Sequence, residues 1–134
     1  MKQYPANTWK RKLDDLVGSY FRNRANDCLQ LSGHACSGRK EWSHIKSRRY
    51  LSTRWLLDNG LTLCSGAHFW FTHNPDYFIY FIEMIFPGRL ERLSKEFNIN
   101  KQFKKSELEA LYKKTEAEIK RKKKRLAAHQ TLFD

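Results

Sequence analysis

The stretch EWSHIKSRRYLSTRWLLDNGLTLCSGAHFWFTHNP, residues 41–75, constrains the fold more than any other part of the chain. Residues 40–45 read as a short strand. Lys46 to Gly60 starts polar and basic, is anchored by Trp55, Leu56 and Leu57, and ends in Asp58-Asn59-Gly60, a strong turn signal. Leu61 to Cys64 reads as a second short strand, and Ser65-Gly66 leads into a helix beginning near Ala67 and running up to Asn74-Pro75. The order is strand, long loop, strand, helix, which predicts an α+β fold.

Helices flank this unit. Asn7 or Thr8 is placed to cap a first helix that carries Leu13, Leu16, Val17, Tyr20 and Phe21 at helical spacing, with Arg22 and Arg24 near its end. Asp76 to Phe86 is apolar on most faces, and Phe69, Trp70, Phe71, Tyr77, Phe78, Tyr80 and Phe81 are expected in the core. Pro87-Gly88 ends that segment and Arg89 to Glu96 forms a further short helix. Ser106 with Glu109 suggests a capping box for a last helix, in which Leu108, Leu111 and Ile119 form a stripe that either docks on this chain or dimerises. Residues 1–100 are expected as one domain, with its core at about 28–75 and helical support at 8–27 and 76–96. Residues 101–134 are expected as a basic helix or tail.

The 134 residues carry 26 Lys and Arg against 14 Asp and Glu, a formal net charge of +12. Such an excess favours a polyanionic partner, because neutralising phosphates releases condensed counterions. The most apolar run, Tyr77 to Phe86, contains Glu83 and is far shorter than the roughly 20 residues a membrane span requires. The amino terminus shows no secretory signal, so a cytoplasmic setting is expected, and three cysteines argue against a disulfide framework.

Hydrolysis of a phosphodiester requires a base for the attacking water and positive charge for the phosphate and leaving oxygen. His44 suits the first task, since a neutral imidazole accepts a proton at cellular pH while its other nitrogen is held by a backbone carbonyl. His68, in the first turn of a helix, suits a metal ligand; Asn59 suits folding of the long loop through side-chain to backbone hydrogen bonds. Taken singly, each of the three has a plain structural role as well. Lys46, Arg48, Arg49 and Arg54, with Arg39 and Lys40 nearby, suit contacts to the DNA backbone that position without reading sequence.

The segments RNRANDC, EWSHIKSRRY, RWLLDNGLTLC, AHFWFTHNP and FPGRLERL follow one another in an order that resembles the HNH, or ββα-metal, endonucleases, in particular small phage- and prophage-type members. The likeness runs over roughly residues 9 to 95. It implies a ββα-metal core, His44 as general base, Asn59 as the loop-orienting residue and His68 as ligand of a divalent cation: Mg²⁺, or Mn²⁺, Ni²⁺ or Zn²⁺. His44 would deprotonate water, and a cation on His68 would stabilise the leaving 3′ oxygen, giving 3′-hydroxyl and 5′-phosphate ends. DNA is the implied partner, nicked or cleaved by a monomer or homodimer, with a phage protein as a further partner.

Two features depart from the family pattern. Ser43 stands where many members carry a metal-binding Asp or His, and His73 is a further candidate for that role. Of the two Cys-x-x-Cys pairs that hold structural zinc in related proteins, Cys28 and Cys64 remain, while Leu31 and Ala67 occupy the partner positions. Either Cys28, His34, Cys36 and Cys64 rebuild a Cys₃His site, or the cysteines are small buried apolar groups. The competing readings are a catalytically degenerate nucleic-acid-binding protein on the same fold and a basic RNA-binding or assembly protein.

Overall fold

The computed structural model describes residues 4–29 and 35–133. It is an α+β structure in two compact units: residues 18–102, and residues 1–17 together with 103–134. One division falls at 102/103, near the expected boundary at 100, and a second runs through the first helix, α1 (Ala6–Arg22).

The larger unit contains β1 (Lys40–His44), α2 (Leu51–Arg54), a 3₁₀ turn (Leu57–Asn59), β2 (Gly60–Cys64), α3 (Ser65–His73), α4 (Pro75–Ile85) and α5 (Arg89–Glu96). The strands pair antiparallel, with Lys40 opposite Cys64, Trp42 opposite Thr62 and His44 opposite Gly60. Every residue of β2 is buried. Leu61 and Leu63 share one face and join Cys28, Cys64, Ala67, Phe81 and Ile82 in the core. Thr62, facing the other way, donates its hydroxyl to the Phe21 carbonyl at 2.5 Å. The outer edge of β2 is closed there by Asp27, whose amide donates to the Thr62 carbonyl at 2.8 Å and whose carboxylate accepts the Thr62 amide at 2.9 Å.

Gly60 does not make a turn. Its φ of −119° and ψ of 156° are those of extended backbone, and its missing side chain serves packing. An added Cβ would lie 2.4 Å from the Phe21 ring and 2.9 Å from Trp42 Nε1. The two rings stack nearly parallel, 10° apart with centroids at 6.2 Å.

The aromatic-rich helices are less buried than their composition predicts. Phe81 is buried and Phe71 and Phe78 pack partly on the core, whereas Phe69, Trp70, Tyr77 and Tyr80 are 69%, 47%, 62% and 63% exposed. A two-stranded sheet offers one helix-width of apolar surface, and the Phe81–Ile82 side of α4 takes it. Cys64 caps α3, its sulfur accepting the Ala67 amide at 3.3 Å, so the helix starts two residues earlier than Ala67.

In the smaller unit, Leu13 and Val17 of α1 are buried, as are Leu108, Thr115 and Ile119 of α6 (Lys105–Phe133). Trp9 meets Tyr112 edge-on at 5.6 Å. The stripe with Leu108 and Ile119 is thus covered by this chain. Two caps differ from expectation. α1 opens on the Pro5 carbonyl, with Asn7 and Thr8 inside the helix. At α6 it is Glu107 that reaches back, accepting the Lys104 amide at 2.8 Å, two residues before the Ser106–Glu109 pair. Ion pairs at four-residue spacing, Glu109 with Lys113 at 3.6 Å and Glu116 with Lys120 at 4.0 Å, line the exposed side. Among the described residues no helix is long and apolar enough to cross a membrane.

Candidate active site

A cleft of about 560 Å³ in the larger unit is lined by Arg22, Arg39, Lys40, Glu41, Trp42, His44, Ser47, Arg48 and His68. Both imidazoles singled out by the sequence border it. Alternation along β1 puts Lys40, Trp42 and His44 on one face of the strand. The rings of Trp42 and His44 lie 4.2 Å apart at 37°. Phe21, Trp42 and His44 therefore form a continuous stack that backs the His44 ring.

The second constraint on His44 is a hydrogen bond of 3.2 Å between Nε2 and the Arg54 carbonyl. A carbonyl only accepts, so Nε2 carries the proton and the basic lone pair resides on Nδ1.

Asn59 is fully buried and uses both ends of its amide on one residue. Its Oδ1 accepts the Lys46 amide at 2.7 Å, and its Nδ2 donates to the Lys46 carbonyl at 3.0 Å. The Asn59 carbonyl also accepts the Ile45 amide at 2.9 Å. The ladder ends with His44 opposite Gly60, and these three bonds extend it past His44 into the loop.

His68 stands on the first turn of α3, and its Nδ1 lies 3.1 Å from Glu41 Oε1. The carboxylate holds Nδ1 as the donor, which puts the lone pair on Nε2. A carboxylate that fixes a ligand imidazole in this way recurs at protein metal centres. The two side chains are about one third exposed, so water and ions reach them. Oriented from behind by Glu41, Nε2 is a single imidazole donor of a kind that suits a divalent cation such as Ni²⁺ or Zn²⁺.

The remaining candidates lie elsewhere. Ser43 is buried on the opposite face of β1 and does not border the cleft. His73 is exposed on the last turn of α3, where its Nδ1 donates to the Phe69 carbonyl at 2.9 Å and its ring packs on Phe69 at 4.3 Å, also outside the cleft. Of the four basic residues proposed for DNA contacts, Arg48 lines the cleft. Lys46 lies over Phe97, Arg49 over Tyr50 and Arg54 over Trp55, at 5.4, 5.1 and 5.3 Å from the ring centres. The structure adds Arg22 and the Glu41 carboxylate to the cleft.

Cys28, Cys36 and Cys64 converge although 36 residues separate the first from the last. Their sulfurs all lie within 4.8 Å of one another, with Cys28 at 3.1 Å from Cys36 and 3.8 Å from Cys64. Three sulfurs so placed could hold a metal ion. Burial pushes the Cys28 thiol up to about 12, so a metal entering there would have to displace its proton. His34 lies outside the described residues.

Compared with known proteins, the chain matches no family model, and no curated protein or solved structure matches it significantly.

Proposed function

We propose that this chain is a metal-dependent DNA endonuclease of the HNH type, with residues 28–75 as a ββα-metal core and DNA as substrate. The observation that carries the reading is the convergence of His44 and His68 on one cationic cleft, with the long loop between them tied to β2 by Asn59. Two imidazoles held in complementary ways, one by a carbonyl and one by a carboxylate, divide the work of a base from that of a ligand.

In this reading His44 takes a proton from water at Nδ1, while the Arg54 carbonyl and the Trp42 ring stop the imidazole from turning. Arg39, Lys40 and Arg48 hold the phosphate chain in the cleft. His68, oriented by Glu41, would hold the divalent cation, which when bound neutralises charge on the phosphate and the departing 3′ oxygen. The three clustered cysteines take a structural zinc, with His34 proposed as fourth ligand.

The test is cleavage of supercoiled plasmid with Mg²⁺, Mn²⁺ or Ni²⁺ by the wild type and by His44→Ala. Loss of cleavage with DNA binding retained is expected of the variant. Duplex binding with no cleavage by the wild type in any of these ions would instead favour a binding protein on the same fold.

A further inference from the structure

We infer that Arg22, its side chain lying over Gly18 on α1, is a phosphate-binding residue of the cleft, gripping a phosphodiester oxygen. The inference rests on the endonuclease reading for its substrate, but it is argued from a separate feature of the chain.

Gly18 is buried in the interior of a 17-residue helix, where glycine is unfavourable relative to alanine. Its φ calls for no glycine, since the only positive-φ glycines are Gly38 and Gly88 among the described residues. What fills the space of a missing Cβ is the Arg22 guanidinium: an ideal Cβ would lie 2.7 Å from Nη1, 3.0 Å from Nη2 and 3.1 Å from Cζ. Helical side chains lean toward the preceding turn, so the residue four positions on is the one this gap accommodates.

Arg22 borders the same cleft as His44 and His68. Among the described residues no carboxylate ion-pairs with it. The carboxylate of the cleft, Glu41, is engaged by His68. Arg22, exposed at the end of α1 with its guanidinium over Gly18, shares the cleft with Arg39, Lys40 and Arg48 and keeps its planar fork of donors for an anion. A phosphodiester is the anion that satisfies both this fork and the neighbouring cations.

The experiment compares wild type, Arg22→Gln, Gly18→Ala and, as a charge-matched control on the same helix, Arg11→Gln. Affinity for a short duplex DNA is measured across salt from roughly 50 to 200 mM, beside plasmid cleavage. Arg22→Gln is expected to weaken binding about ten-fold and to reduce the salt slope by about one unit. Gly18→Ala is expected to shift both in the same direction by a smaller amount, with a melting temperature equal to or above that of the wild type, so unfolding cannot explain the loss. Arg22→Gln and Gly18→Ala that bind with the affinity and slope of the wild type and of Arg11→Gln would overturn the inference. A wild type that binds DNA without cleaving it leaves the binding comparison intact, so the two readings fail separately.

Discussion

Asn59 clasps the peptide of Lys46 from both ends, accepting its N–H at 2.7 Å and donating to its C=O at 3.0 Å across 13 residues of chain. The clasp starts two residues past His44, so the loop leaves the sheet in a fixed direction and Arg54 arrives under the imidazole.

Asn59→Ala removes both bonds in a fully buried place and should cost about 1–3 kcal/mol of stability. Thermal unfolding should show a midpoint lower by roughly 5–15 °C, together with lowered cleavage. A variant as stable and as active as the wild type would mean that the clasp does not hold the loop.

His44→Ala should lower the cleavage rate by at least about 100-fold, the lower range for a positioned general base. Duplex affinity should stay within about two-fold, because Arg39, Lys40 and Arg48, which hold the phosphates in this reading, are untouched. Residual cleavage at the wild-type rate would remove His44 from the chemistry.

Glu41→Gln preserves an oxygen that can accept from His68 while removing the charge. Loss of a carboxylate behind a ligand imidazole typically weakens metal binding about 10–100-fold, so the Mn²⁺ concentration giving half-maximal cleavage should rise by that factor at little cost to maximal rate. An unchanged Mn²⁺ titration would separate Glu41 from the cation site.

Purified protein should carry about one zinc per chain at the three cysteines, and its uptake by stripped protein should release protons, since thiolates are the ligands. Cys64→Ser should lower both the metal content and the melting temperature. Metal-free protein with an unchanged melting temperature would leave the cysteines as apolar core.

Gly60→Ala should destabilise by about 1–3 kcal/mol through overpacking, because the new methyl collides with Phe21 and crowds Trp42. Near-ultraviolet circular dichroism, sensitive to the Trp42 environment, should change at the same time. A spectrum and midpoint equal to those of the wild type would contradict the stack described here.

The strands, the loop and the helix order were legible because period-two runs bounded by turn residues and a helical stripe in α1 are local signals. Leu13, Val17 and Phe21 are all buried on one side of that helix. Partnerships across the chain were not legible. Glu41 reads as an ordinary strand charge until the helix 27 residues later delivers His68. Arg22 reads as a helix-terminal cation until the gap at Gly18 is seen. The exposure of Trp70, Tyr77 and Tyr80 was hidden for a different reason: hydrophobic composition states what a helix offers, while the area available on a two-stranded sheet decides what it covers. In Asp58-Asn59-Gly60 the role of Asn59, side-chain to backbone bonds that fold the long loop, was legible although its partner Lys46 was not, whereas Gly60 serves packing against Phe21 rather than a turn.

The bond pair between Asp27 and Thr62 also bears on how this chain behaves when crowded. A two-stranded ribbon with a bare flank is a template for strands of neighbouring molecules. With the Thr62 amide and carbonyl both occupied by Asp27, stacking onto that flank would first have to break two native bonds. Asp27→Ala would keep the backbone bond to the Thr62 carbonyl but free the Thr62 amide, opening part of that template, and aggregation on mild heating would report it.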